Sequence, residues 1–168
     1  MDIVQKRIND CLQNNSLKLD LSNLNLEYLP NLPENLIELY CDQNQLILLP
    51  DNLPKNLCIL NCSFNKLKFL PNLPNNLEYL YCNNNNLLSL PNEFPNTIKG
   101  FDCRHNNLKF LPYINNKNIK GYIVGNELPN RIPGEGFYNY LYRYYKITEE
   151  NSKNCIKDRS SIMVYITI

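Results

Sequence analysis

Four thiols recur along this chain at a fixed stride: Cys41, Cys62, Cys82 and Cys103, each 20 or 21 residues from the next. Such a column could in principle hold a soft metal, relay redox equivalents, or simply pack. Tetrahedral zinc needs convergent ligands, and a line of parallel side chains does not converge. Free cysteine is among the most buried residue types and behaves as a small hydrophobe, so core packing is the leading expectation, with metal binding or thiol redox chemistry the minor ones. His105, the sole histidine, stands beside Arg104 and two positions from Cys103. A nucleophile–base pair requires the two groups to meet, yet an inward thiol and its outward neighbours face opposite ways. With no Gly-rich phosphate loop, HExxH or Cys-x-x-Cys motif, no catalytic residue, metal or cofactor is expected.

The cysteines belong to a longer signature, Leu-x-Cys-x-x-Asn-x-Leu. It reads Leu39–Cys41–Asn44–Leu46, Leu60–Cys62–Asn65–Leu67, Leu80–Cys82–Asn85–Leu87 and Phe101–Cys103–Asn106–Leu108. An apolar residue leads each copy (Leu36, Leu57, Leu77, Ile98) and Leu-Pro follows it. A unit this short cannot bury its own apolar face, so copies must stack into a solenoid around a shared core. The alternation of Leu39 with Cys41 is the period of a half-buried strand, and stacking aligns these strands into a parallel sheet. Asn44, Asn65, Asn85 and Asn106 then fall at the turn, where their amides can satisfy backbone groups of neighbouring coils as a structural ladder.

The residues between the inward ones share one outward face. Glu38, Tyr40 and Asp42, Ile59 and Asn61, Tyr79 and Tyr81, Asp102 and Arg104 lie there, with Phe64 at its edge. Aromatic anchors within a polar rim are the composition of a protein-binding hot spot. These ten residues are the candidate partner-binding site. The return path carries LPNLP, LPDNLP, LPNLP and LPNEFP; paired prolines fix φ and remove donors, so this side is extended and polyproline-like.

The expected organisation is a helical N-terminal cap over 1–15, about six coils over 16–128, and a C-terminal capping segment over 129–168. Ile3/Val4, Ile8 and Cys11/Leu12 have helical spacing. Ser16–Leu26 is a variant first coil, and Ile119–Leu128 a degenerate last coil, one residue short at its turn. The spacing of Phe137, Leu141 and Tyr144/Tyr145 fits a helix, while Tyr138, Tyr140, Tyr142 and Tyr144 also alternate as in a strand. A capping helix near 136–147 is the favoured expectation, with a second helix starting at Thr148 and a strand at 162–168. The tyrosine-rich 137–145 stretch competes with the strand face as a contact surface.

A formal net charge of +1 supplies no field for nucleic acid or an anionic membrane. The start, MDIVQKRINDCLQNN, has no apolar core of a signal peptide, and no run reaches the roughly 18 apolar residues of a membrane span. Seven cysteines, an odd number, fit reduced thiols. The expectation is a cytoplasmic protein, in its own cell or a host's, acting on a protein partner, with a monomer favoured.

The string LP-x-LP-x-x-L-x-x-L-x-C-x-x-N-x-L resembles the leucine-rich repeats of bacterial secreted effectors of the YopM and IpaH groups, over about 16–128. Similar Asn-rich repeat proteins occur in large DNA viruses and amoebae. The resemblance implies an α/β solenoid with a parallel β-sheet on its concave face, a helical cap before it, and binding of host or cellular proteins. Two features depart from the pattern. The inward strand residue is Cys where those effectors carry an aliphatic. The stretch after 128 is too short for their ligase domain, and Cys155–Ile156–Lys157–Asp158 does not match its Cys-x-Asp motif. The resemblance therefore transfers binding and not ubiquitin-ligase activity.

Overall fold

The computed structural model describes residues 2–114, 116, 118–129, 134–137, 139–146 and 149. They fall in two units, 1–128 and 129–168. In the first, helix α1 (Ile3–Gln13) precedes six three-residue strands: β1 (Lys18–Asp20), β2 (Glu38–Tyr40), β3 (Ile59–Asn61), β4 (Tyr79–Tyr81), β5 (Gly100–Asp102) and β6 (Lys120–Tyr122). They form one parallel sheet in chain order. Leu39, Leu60, Leu80, Phe101 and Gly121 stand in one register. The fold is the parallel-strand solenoid expected from the repeat.

Helix α1 starts at Asp2, whose carboxylate accepts the Val4 N–H at 3.4 Å, and it packs against β1. Ile8 and Cys11 are its buried residues, whereas Ile3 and Leu12, expected on the same stripe, are about half exposed. Arg7 donates to the Asp20 carbonyl at 2.8 Å, tying the helix to the first coil.

Inside the coils the inward columns are fully removed from water: Leu36, Leu57 and Leu77; Leu39, Leu60 and Leu80; Cys41, Cys62, Cys82 and Cys103; Leu46, Leu67, Leu87 and Leu108. At the fifth coil Phe101 fills the strand position and meets Phe94 edge-on, with ring centroids 5.4 Å apart. Three-residue strands supply few ladder bonds, so pairing continues past them. Cys41 N–H donates to the Asn61 carbonyl, Gln43 N–H to Ser63, and Lys66 N–H to Leu46.

The asparagines complete this pairing. Asn65 Nδ2 donates to the carbonyls of Cys41 at 3.0 Å and Cys62 at 3.1 Å, while its Oδ1 accepts the Leu46 N–H at 2.9 Å. Asn85 bridges Cys62, Cys82 and Leu67 in the same way, and Asn106 bridges Cys82, Cys103 and Leu87. Asn44 accepts from both Leu24 and Leu26 and so closes the first coil, which has Leu24 in place of an asparagine. Each amide welds its own coil to the one before it.

The last coil differs from the reading given above. Asn126 donates to Cys103 and Ile123 and accepts from Leu108 N–H at 3.0 Å, which makes it a fifth rung. Its turn is therefore complete. The missing residue lies before the strand: Ile98 and Ile119 both bond back three residues, yet Gly100 follows Ile98 by two positions and its partner Lys120 follows Ile119 by one.

In the second unit residue 137 and residues 139–146 are helical. Phe137, Tyr140 and Tyr144 stack along it at 6.0 Å spacings, and Arg143 pairs with Glu135 at 2.9 Å. The expected helix start at Thr148 and the strand at 162–168 lie outside the described residues.

Removing Asn65 leaves the buried Leu46 N–H without its acceptor and takes one of two amide donors from each of the Cys41 and Cys62 carbonyls. Asn65→Ala is expected to lower unfolding stability by roughly 1–3 kcal/mol in urea melts, and more than Asn126→Ala at the partly exposed last rung. Equal, near-zero losses would refute a structural ladder.

Candidate functional site

The strands present two outward columns. The first runs Lys18, Glu38, Ile59, Tyr79, Gly100, Lys120, and the second Asp20, Tyr40, Asn61, Tyr81, Asp102, Tyr122. Because the register never slips, side chains on neighbouring coils stand about 4.8 Å apart. Tyr79 and Ile59 are half-buried, and Tyr81 is 40% exposed. A Cβ built at Gly100 would stand 3.5 Å from Tyr79 Cδ1, in ordinary van der Waals contact, so the Tyr79 ring lies beside this position.

Charges on this face are mostly neutralised in place. Lys18 reaches Glu38 at 3.8 Å and lies over the Tyr40 ring at 4.5 Å. Tyr40 donates its hydroxyl to Glu38 at 3.1 Å; burial and this carboxylate push the phenol's pKa up, which keeps it protonated. Asp102 is buried under the Arg104 guanidinium, 2.6 Å away, and Arg104 stacks on Tyr122 at 5.3 Å. Of this expected pair only Arg104 is presented to solvent, and Asp102 orients it. Asp42 accepts from Asn61 Nδ2 at 2.9 Å and Gln43 Nε2 at 3.4 Å, with no cation in ion-pair range among the described residues.

Phe64 closes the face with a left-handed backbone, φ 53°, and is 53% exposed. The residue before each ladder asparagine adopts this conformation: Gln43, Asn84 and His105 match it, and Gly125 does so at φ 76°. A bulky side chain pays about 1–2 kcal/mol there, and in this column position 64 carries the phenyl ring. His105 sits against Gly125, where an added Cβ would lie 2.5 Å from Nδ1; Cys103 is turned into the core.

The thiol column is buried, and burial pushes the pKa of Cys41, Cys82 and Cys103 well above the usual 9.0 and that of Cys62 up to about 12. These sulfurs stay as neutral thiols at physiological pH, where only a thiolate is nucleophilic or metal-binding.

Solved structures with this geometry share its sequence character. A leucine-rich repeat domain of a Shigella effector aligns at 36% identity and TM-score 0.73, over 78% of this chain and 59% of that one. YopM from Yersinia enterocolitica aligns at 34% identity and TM-score 0.71, over 77% and 30%. YopM from Yersinia pestis, a leucine-rich effector protein, aligns at 31% and 0.65, over 76% and 43%. The chain is a leucine-rich repeat protein. It spans less than two thirds of the length of each of these leucine-rich repeat structures. Compared with protein-family models and with curated proteins, the sequence matches none.

Two surfaces of this leucine-rich repeat escaped the sequence reading. Tyr122, 55% exposed, extends the Tyr40–Tyr81 column by two further coils; treating the last coil as degenerate hid it. A second row lies just before each Leu-Pro. Tyr28, Leu48, Phe69 and Phe110 occupy it, all half exposed or more, and Ser89 interrupts it. The signal was present in LEYLP, LILLP, LKFLP and LKFLP, where the residue before Leu-Pro reads as core but turns outward.

The raised thiols carry a pH signature. Below about pH 9 they are protonated in both folded and unfolded chains, so their contribution is complete. As pH rises beyond that value the unfolded chain ionises and the folded chain does not, and stability falls by about 1.4 kcal/mol per pH unit per thiol. Urea melts from pH 8 to 10.5 are expected to steepen accordingly, and Cys62→Ala to reduce the slope by about one proton. An unchanged slope in that variant contradicts the assignment.

Proposed function

We propose that this protein is a non-catalytic interaction module that holds a protein partner against its strand face, in a cytoplasm of its own cell or of a host. The observation that carries this reading is the unbroken register, which sets Tyr40, Ile59, Tyr79 and Tyr81 side by side on a welded sheet. A pre-organised aromatic patch binds without spending entropy on its own ordering. Glu38, Asp42, Asn61 and Arg104 surround the rings and supply orientation and specificity, and Phe64 adds an exposed anchor held at a conformational cost. The neutral, buried thiols favour binding over redox or metal chemistry. The leucine-rich repeat structures it resembles come from effector proteins, which agrees with a protein ligand.

The row of Tyr28, Leu48, Phe69 and Phe110 supports a second reading. Its side chains are as exposed as any on the strand face, and contiguous apolar surface of this kind marks interaction sites. Quantitative affinity purification from cell lysate separates the two. The expected result is that a partner held by wild type is lost by Tyr40/Tyr79/Tyr81→Ala and retained by Phe69/Phe110→Ser, with circular dichroism matching throughout. Loss only in the second variant moves the contact to the edge row. Retention in both removes the strand face and directs attention to residues 134–168.

A further inference from the structure

The second outward column has a period of two coils. Tyr40, Tyr81 and Tyr122 occupy one register position on β2, β4 and β6, and the intervening coils put Asn61 and Asp102 there instead. Aromatic rings therefore recur every two sheet spacings, about 9.6 Å, with a polar floor between each pair. We infer that this column is a docking groove for a proline-rich segment in the polyproline II conformation, lying along the solenoid axis with a basic residue at its β2 end. The proposal rests on the strand face being the contact surface and names its ligand.

The period selects the ligand. Polyproline II has three residues per turn and a rise of about 3.1 Å, so side chains on one side return every ~9.3 Å. A β-strand repeats on one face at about 6.8 Å. A helix laid along the column would present apolar anchors at roughly 5 Å intervals and meet Asn61 and Asp102 with every second one. Only the polyproline repeat sets one proline on each ring and leaves nothing apolar over the polar floors. Such a ligand has no internal hydrogen bonds, and aromatic-lined grooves are the usual receivers of prolines spaced by three. Tyr81 and Tyr122 bring hydroxyls to the rim that can donate to its free carbonyls.

Charge sets the direction. Arg7 and Lys18 already neutralise Asp20 and Glu38, whereas Asp42, two residues beyond Tyr40, meets only neutral amides. At the opposite end the exposed charges are cationic: Lys120 on β6, and Arg104, stacked on Tyr122. A cation beside the first proline would complete Asp42, and the reverse orientation would bring it against Arg104.

An unbiased ten-residue peptide library displayed on phage tests this. Wild-type protein is the bait, and Tyr81→Ala, with Tyr40/Tyr79/Tyr81→Ala beside it, the counter-bait, each first checked by its thermal melt. Expected is enrichment of prolines at i and i+3 next to a lysine or arginine. A fluorescent peptide of that sequence should lose at least tenfold in affinity on Tyr81→Ala, on replacement of its prolines by alanine, or, more modestly, on Asp42→Asn. Tyrosine-dependent peptides lacking the proline spacing overturn this inference and leave strand-face binding intact. Peptides held equally by the variants, or no enrichment at all, overturn the inference and the strand-face reading together.

Discussion

One side-chain amide per coil is the interaction on which this structure depends. Each coil contributes three residues to the sheet, too few to hold register alone. The turn that follows leaves carbonyls and N–H groups pointing at the next coil. Asn44, Asn65, Asn85, Asn106 and Asn126 answer both kinds of group with a single planar amide, donating to two carbonyls and accepting from the preceding coil. Buried backbone groups are costly when unpaired, so every coil with another coil before it carries asparagine here, and only the first coil has Leu24 instead. The same demand holds the strand-to-turn segment constant in length, while the proline-bearing return path tolerates the extra residue in LPDNLP and LPNEFP.

That constancy explains why so much was legible in the sequence. A signature spaced to the residue reports the strand, its inward columns and its rungs, because slippage of one position would turn every leucine to water. Legibility failed where packing rather than period decides. Ile119 looks like the lead residue of a shortened turn, but the chain drops a residue before β6 and keeps Asn126 in place. Asp102 alternates as an outward residue, yet Arg104 folds over it. Phe69 and Phe110 recur at one repeat position before Leu-Pro, yet their apolar letters read as core, since a turn rather than a strand sets their direction. Tyr138, Tyr140, Tyr142 and Tyr144 alternate in sequence as in a strand, yet Phe137, Tyr140 and Tyr144 stack at the three- and four-residue intervals of a helix.

The functional account follows from rigidity. A sheet welded at every coil cannot adapt its spacing to a ligand, so its specificity lies in the pattern it displays: rings on alternate coils, polar floors between them, and charges mostly paired, with Asp42 and Lys120 outside ion pairs among the described residues. The thiols beneath contribute volume and a dry core rather than chemistry. Phe64 stands at the margin of this face in a backbone conformation that favours glycine or asparagine. Strain of this kind is retained where the side chain has a use.

Hydroxyl-radical footprinting of the partner complex captured from lysate, read by mass spectrometry, reports directly on which side chains are covered. The account predicts that Tyr40, Tyr79, Tyr81 and Phe64 become protected on binding while Tyr28, Phe69 and Phe110 keep their reactivity. Protection confined to Tyr28, Phe69 and Phe110, with the strand-face rings unchanged, would contradict it.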